Sequence, residues 1–337
     1  MRIRILVILF ILIAFPSFGQ DLPDLTNYQH NWLLFNPAFT GSRDVLSASF
    51  FSRDNAITQP GTPAPKHFQV AVHSPFDFSE SDSWGVSYYN QKMPGYGFAG
   101  ISFNNPVPMV DHNLTGYYAH KVRVKGGQLS LGLSAIIANK RIDNAAIDVR
   151  QPLDPLYMAD IDPEWSLNFG AGALFYTEDQ YAGLSVPRLL NPIVLAGGAT
   201  ASSETQADTD TVVTPSFWKN YNIMFTAGHQ FALNPNLTIY PSFLLGYIPI
   251  DGLGNLNYMA SLNFGFMNEK IWFGTIYKSG KEIAFNVNLE ILDERALIGL
   301  SWDFSLARTV GYFDNAFEIV FRWDNIKTIV SKAPFYF

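Results

Sequence analysis

The sequence of 337 residues contains no cysteine. This absence excludes a disulfide framework and the lipid-modified cysteine that anchors a lipoprotein. Beyond residue 19 there is also no apolar run of 18 residues, so no membrane-spanning helix is predicted there. Acidic residues outnumber basic ones by 29 to 22, which argues against nucleic acid as a partner. The remaining classes are a protein outside the bilayer and one that crosses it as a closed barrel.

Residues 1–19 have the pattern of a secretory signal peptide. Arg2 and Arg4 form a basic start, an apolar run follows, and Ser17 and Gly19 are small residues at the predicted cleavage site. Removing this leader takes away two arginines and no acidic residue, so the formal net charge goes from −7 to −9. At 48% hydrophobic residues, the chain is too apolar to be disordered.

Strict alternation of apolar and small or polar residues dominates the rest of the chain. In the stretch QLSLGLSAII, Leu129, Leu131 and Leu133 alternate with Ser130 and Gly132. Such a period of two predicts β-strands rather than helices. Strands are predicted near 44–52, 66–74, 83–91, 112–124, 128–139, 164–177, 180–187, 219–232, 236–248, 255–267, 270–278, 281–292, 294–304 and 315–323.

Several of these strands reach ten or more residues, whereas ordinary strands average about 5–6 and tilted membrane strands need about 9–11. One face is large and apolar, and the other is polar or glycine, as lipid outside and water inside require. A soluble β-sandwich should have shorter strands and a more charged outer face. The predicted fold is an all-β, antiparallel transmembrane barrel of about 14 strands. Leu131, Phe169, Leu262 and Phe285 should face lipid, and Gly132, Asn168, Asn263 and Asn286 should face the lumen and tolerate polar substitution.

The predicted connections differ in length on the two sides of the barrel. Long ones fall at 53–65, 92–111, 140–163, 188–218, 249–254 and 305–314, and most others are tight turns, which are expected on the periplasmic side. The short turn at 279–281 is an exception on the long-loop side, and 96–103 is assigned to a loop because counting it would make the strand number odd. The predicted organisation is a signal peptide at 1–19, a periplasmic or lumenal plug segment at 20–43, a barrel at 44–323 and a periplasmic tail at 324–337.

No motif in the sequence indicates an enzyme, a cofactor site or a metal site. The glycines of GYGFAG at 95–100 lack the strand and helix that a dinucleotide site needs, and His73-Ser74 lacks an identifiable orienting acid. The acidic loop at 143–164 has no EF-hand spacing, which leaves both a Ca²⁺ site and a solvated loop open. The charged residues predicted in the lumen either line a pore or pair in a plugged interior: Lys121, Arg123, Lys125, Glu290, Asp303, Glu318 and Arg322.

The stretch FNPAFTGSR at 35–43 combines turn residues with large apolar ones. Asn36-Pro37 and Gly41-Ser42 favour turns. The stretch is predicted either to join strand one to a docked N-terminal segment or simply to cap that strand. Apolar residues near both ends of the chain are candidate docking or partner contacts: Trp32, Leu34, Phe35, Asn36, Pro37, Phe39, Pro334, Tyr336 and Phe337.

Four blocks, in order, resemble the PorP/SprF family of outer-membrane proteins of Bacteroidota. They are NYQHNWLLFNPAFTGSRD, PGTPAPKHFQVAVHSPF, YAGLSVPRLLNP and the final APFYF. The sequence departs from the family pattern after the first strand, where an Asn-Gln-Trp run is usual and this chain has RDNAITQPG.

The resemblance implies a non-enzymatic outer-membrane barrel, exported through a cleavable signal peptide. It implies a role in type IX secretion and gliding motility, in which the barrel assists export of surface proteins or holds them at the cell surface. The implied partners are outer-membrane lipid, periplasmic secretion machinery and a secreted surface protein as cargo, without nucleic acid or cofactor. Two alternatives stay open at this point: a transporter or porin for small or hydrophobic solutes, and a barrel enzyme acting on lipid through His73.

Overall fold

The alternating segments of the sequence fold as antiparallel strands joined in chain order. The structure, a computed structural model, describes residues 25–54, 66–79, 81–95, 107–142, 164–189, 193–196, 222–234, 236–250, 253–279, 282–292, 295–306 and 315–325. The strands are β1 (Ser47–Asp54), β2 (Lys66–Pro75), β3 (Asp82–Gly95), β4 (Val107–Val124), β5 (Gly127–Ile142), β6 (Glu164–Tyr176), β7 (Gln180–Val186), β8 (Ile193–Ala196), β9 (Ile223–His229), β10 (Phe231–Asn234), β11 (Leu237–Ile250), β12 (Leu253–Phe266), β13 (Ile271–Lys278), β14 (Glu282–Ile291), β15 (Ala296–Ser305) and β16 (Asn315–Asp324).

The sheet closes on itself because β16 pairs with β1 along its length, from Ser47 opposite Asp324 to Asp54 opposite Phe317. The sixteen segments fill fourteen positions around the barrel. Strands β7 and β8 pair with different levels of β6, and β9 and β10 both pair with β11. The predicted strand at 219–232 is therefore interrupted at Gln230, while the predicted fourteen-stranded barrel is confirmed.

The predicted inside and outside faces are confirmed. The side chains of Leu131, Phe169, Leu262 and Phe285 are between 38% and 56% exposed on the outer surface. Their neighbours Asn168, Asn263 and Asn286 are buried in the interior. Among the described residues, no helix is long and apolar enough to span a bilayer.

One end of the barrel, called the short-turn end below, carries both the start of β1 and the end of β16. The turns there are tight, such as residues 125–126 and 177–179. The opposite end carries the long connections, with two exceptions. The 279–281 turn is short as predicted, and the long loop predicted at 249–254 is wrong, because Ile250 pairs with Leu253 and the strands run almost to the turn. The stretches 96–103 and 143–163 lie outside the described residues.

Residues 25–46, called the plug below, lie inside the barrel before the chain enters β1. The plug consists of a 3-10 turn at Tyr28–His30, one turn of α-helix at Trp32–Phe35 and a second 3-10 turn at Pro37–Phe39. Its aromatic side chains form the hydrophobic core together with inward-facing residues of the wall. The core of this protein therefore sits within the lumen, between the plug and the strands.

Candidate functional site: a plugged lumen

Asn36 organises the middle of the plug. Its side-chain Oδ1 accepts a hydrogen bond of 2.9 Å from the backbone N–H of Ala38, which caps the turn at Pro37–Phe39. Pro37 suits the first position of that turn because its fixed φ is already helical and it has no N–H to satisfy. The Asn36 Nδ2 donates to the backbone oxygen of Ala173 on β6 at 3.2 Å. One side chain thus shapes the turn and fastens it to the wall.

Glycines in the wall make room for this turn. A Cβ atom built on Gly132 of β5 would lie 2.2 Å from the Ala38 nitrogen, and one on Gly172 of β6 would lie 2.0 Å from Asn36 Oδ1. Both separations are far below van der Waals contact. The expectation that Gly132 tolerates polar substitution is therefore wrong, since any side chain at this position meets the plug backbone.

Strands β2, β5 and β7 each make one side-chain hydrogen bond to the backbone of the plug. His73 of β2 accepts from the Gly41 backbone N–H through Nδ1 at 2.9 Å. The hydroxyl of Ser185 on β7 donates to the Phe35 carbonyl at 2.6 Å, and that of Ser130 on β5 donates to the Ala38 carbonyl at 2.7 Å. His73, which was considered above as half of a hydrolase site, instead holds the end of the plug.

Aromatic packing fills the space between these polar contacts. Trp32 stacks on Phe39 with ring centroids 4.6 Å apart, and Tyr181 of β7 meets Trp32 edge-on at 5.5 Å. The Tyr28 hydroxyl is hydrogen-bonded to Ser242 of β11 at 2.7 Å. Burial raises the pKa of Tyr28 to about 12, so this hydroxyl stays protonated. The plug's aromatic side chains are thereby buried against one another and against the wall.

A buried ionic cluster, called the entry cluster below, binds the beginning of the plug. The backbone N–H groups of Thr26 and Asn27 donate to the Glu318 carboxylate at 2.6 and 2.8 Å, and the Thr26 hydroxyl donates to Asp303. Arg53 lies 2.7 Å from both carboxylates, and Lys278 lies 2.6 Å from Asp303. Lys278 also lies 3.4 Å from Glu282, whose side chain is 27% exposed. Each buried charge of the cluster therefore has a partner of opposite sign, as burial of charge requires.

A second group, called the exit cluster below, binds the other end of the plug. Arg43 pairs with Asp324 of β16 at 2.8 Å, and Arg322 contacts Asp324 at 3.1 Å and Glu290 at 3.5 Å. Nearby, Lys121 of β4 pairs with Asp44 at 2.6 Å and donates to the Gly41 carbonyl. Ion pairs therefore fasten both ends of the plug to the barrel wall.

His30 lies inside the lumen near the exit cluster. Burial, followed by the positive charges of Arg322 and Arg43, lowers the pKa of His30 to about 3. The imidazole is therefore neutral at neutral pH. Protonating it would place a third cation beside two arginines that already have their carboxylate partners.

Little open space remains around the middle of the plug, whereas a larger groove opens beside residues 44–46 at the short-turn end. Two cavities that border it measure about 30 Å³ and about 90 Å³, which is room for water molecules rather than for a channel. Among the described residues, no group of three His, Cys, Asp or Glu side chains is placed to hold a metal ion. In its described part, the interior is therefore a packed core with buried charges.

The candidate docking residues divide into two groups. Trp32, Leu34, Phe35, Asn36, Pro37 and Phe39 all belong to the plug and contact the inside of the wall or one another. Pro334, Tyr336 and Phe337 lie outside the described residues, as do most of the GYGFAG stretch and the acidic loop. Of the charged residues predicted in the lumen, Arg123 and Lys125 lie exposed near the short-turn end, and the other five are buried and paired.

Several residues that hold the plug were not singled out from the sequence. They are Thr26, Arg43, Arg53, Lys278 and Asp324. Arg53 offered a usable signal, because it follows Ser47 and Ser49 at even spacing and therefore lies on the face of β1 that carries these polar residues. Thr26 and Arg43 offered none, since the plug has no period that tells which side chains reach the wall.

These features define a class of protein: an outer-membrane β-barrel whose lumen is closed by its own N-terminal segment. Residues 17–323 match the family of type IX secretion system membrane proteins PorP/SprF, and the chain belongs to that family. The family and fold are those of a membrane barrel in secretion and not of a known enzyme class. No curated protein matches the chain by sequence.

Solved structures with a related barrel are distant. A FadL homologue of Pseudomonas aeruginosa has 12% identity and a TM-score of 0.46, with 87% of this chain and 93% of that chain covered. The toluene transporter TodX of Pseudomonas putida has 10% identity and a TM-score of 0.41, with coverage of 93% and 97%. The outer membrane protein Omp33 of Acinetobacter baumannii has 8% identity and a TM-score of 0.39, with 85% of this chain and 100% of that chain covered.

Proposed function

We propose that this chain is a non-conducting outer-membrane barrel that assists type IX secretion and helps hold secreted proteins, including gliding adhesins, at the cell surface. The observation that carries the proposal is the filled lumen. In a member of this family, a plug fastened at both ends closes the pore. The rims and loops of the barrel are then the surfaces that can bind other proteins.

The proposed orientation follows from the lengths of the connections. Barrels of this kind place short turns in the periplasm and longer loops outside. The short-turn end would then face the periplasmic secretion machinery, and the long-loop end would face the cargo. Both ends of the barrel-forming chain, at Leu46 and Asn325, lie on the periplasmic side in this arrangement.

Two measurements test the proposal. In planar bilayers, the purified chain should give no steady ion conductance, because the plug is held by buried ion pairs. In cells, deleting the gene should strip secreted proteins from the surface, as measured by protease shaving and mass spectrometry, and a plasmid copy should restore them. Steady porin-like conductance would contradict the closed lumen. An unchanged set of surface proteins in the deletion strain would contradict the role in secretion.

A further inference from the structure

A large groove opens at the short-turn end, where the plug leaves the lumen. It measures about 1050 Å³ and is bordered by the plug exit at 44–46, the turn between β2 and β3, the lower end of β4 and Asn325. Asn325 is the last described residue, and its backbone N–H donates to the Leu46 carbonyl at 2.9 Å. The chain beyond residue 325 therefore begins at the wall of this groove.

The groove has an apolar floor that is open to solvent. Phe78 in the turn between β2 and β3 is 84% exposed, and its ring lies 4.9 Å from that of Phe76. Exposed aromatic side chains that line a concave surface are typical of a contact site.

The groove carries charges of both signs. Asp44 is paired with Lys121, and Arg123 is exposed at the same border. Asp77 lies in the same turn as Phe78 and makes no ion pair with the described residues. A segment with large apolar side chains and a lysine complements the exposed rings and Asp77.

Residues 326–337, called the tail below, have this composition. Their sequence, IKTIVSKAPFYF, contains Lys327 and Lys332 and no acidic residue, although the whole chain is acidic. Six of the twelve residues are large and apolar or aromatic. Twelve residues span at most about 40 Å when extended, so a tail that starts at Asn325 reaches every part of the groove.

We propose that the tail docks in this groove, with its apolar side chains on Phe76 and Phe78 and a lysine facing Asp77. The proposal does not depend on the function proposed above.

The first test places cysteine pairs in the full-length chain, which has no cysteine of its own. Phe78→Cys is combined in turn with Ile329→Cys, Lys332→Cys and Phe335→Cys, and disulfide formation is followed by electrophoresis of the purified barrel. At least one pair should form a crosslink readily. Met267→Cys lies in another turn of the same end and is 62% exposed, so it is the matched control and should crosslink poorly to the same tail positions. Equal crosslinking from both turns would overturn the proposal.

The second test measures the rate at which maleimide reacts with Phe78→Cys. Phe78 is too exposed for this substitution to disturb folding. Weakening the tail by Lys327→Glu, Lys332→Glu and Phe335→Ser should speed the reaction by about tenfold, because the groove is then open more of the time. The rate at Met267→Cys should not change.

Three outcomes of the second test would overturn the proposal. The first is a Phe78→Cys rate that is independent of the tail. The second is a slow reaction of Phe78→Cys in lipid nanodiscs but not in detergent, with the native and the weakened tail alike. This result would show that lipid covers the groove. The third is protection that appears only in native membranes, which would assign it to another protein.

Discussion

Arg53 shows how much the plug depends on single buried charges. It lies between Asp303 and Glu318, and its side chain is only 2% exposed. Removing one partner of a buried ionic group leaves the other charge without compensation, which costs several kcal/mol. A pair on the outside of β1 and β2, Asp54 with Lys66, has side chains that are 34% and 56% exposed. The two sites offer the same chemistry in opposite environments.

We therefore predict that Arg53→Met destabilises the protein by about 3–5 kcal/mol, whereas Lys66→Met changes stability by less than about 1 kcal/mol. Urea unfolding of the detergent-solubilised barrel, followed by tryptophan fluorescence and by heat-modifiable mobility, measures both. Similar losses for the two variants would contradict a specific role for the entry cluster.

His30 predicts a pH dependence of known sign. Its pKa is lowered from 6.5 in the unfolded chain to about 3 in the folded one, so protonation favours the unfolded state. The contribution of neutral His30 to stability is complete above about pH 6.5 and is lost as the pH falls toward 3, at up to about 1.4 kcal/mol per unit. In urea unfolding between pH 7 and pH 4, His30→Gln should flatten this loss. Parallel stability curves for the two proteins would count against the assignment.

At the scale of a strand, β5 and β6 present glycine where the plug comes closest to them, at Gly132 and Gly172. Gly132→Ala places a methyl group within 2.2 Å of the Ala38 nitrogen, whereas a Cβ on Gly116 of the neighbouring β4 meets no atom within 4 Å. The two glycines therefore provide a matched comparison between a position against the plug and an open position on the next strand.

We predict that Gly132→Ala loosens the plug while Gly116→Ala leaves it unchanged. Limited proteolysis of the folded barrel, read at the plug by mass spectrometry, should show faster cleavage of the Gly132→Ala variant. Lower membrane levels of both variants alike would indicate a general effect of alanine in these strands rather than displacement of the plug.

The outer faces of the strands carry a second prediction at this scale. Phe285 of β14 is 56% exposed toward the lipid, while its neighbour Asn286 is buried in the lumen. Phe285→Arg should cost about 2–4 kcal/mol if it lies near the middle of the bilayer, because a charge must then be placed in hydrocarbon. Asn286→Ser should cost less. The yield of heat-modifiable barrel refolded in lipid vesicles measures both, and equal yields would contradict the assigned faces.

For the whole molecule, the pairing of β16 with β1 and β15 closes the barrel before the tail begins. We predict that deleting residues 326–337 leaves a folded barrel in the outer membrane but weakens its co-purification with the secretion machinery, because the groove and the tail proposed to dock in it form part of the end that would face this machinery. A truncated chain that inserts and still captures every partner would refute this. A chain that never reaches the membrane would show instead that the tail is needed for assembly.

The strand number, the two faces of the wall and the difference between the ends followed from the sequence itself. In a barrel between lipid and a filled lumen, successive residues of a strand face opposite sides. An alternation of apolar and polar residues therefore predicts both the strand and the side that each residue faces. Residues such as Leu262 and Asn263 are placed correctly by this rule alone. The same period also identified Asp303, Glu318 and Arg322 as inward-facing.

Only the tertiary structure decided that the lumen is filled and by what. The contacts that hold the plug join residues far apart in the chain, such as Thr26 with Glu318 and Arg43 with Asp324. The plug has no repeating pattern, so local signals such as Asn36 and Pro37 predict a turn but not which side chains reach the wall. A glycine such as Gly132 reads the same in the sequence whether it faces water or lies against another backbone. The contact of Gly132 with Ala38, and hence the role of this glycine, exists only in the folded barrel.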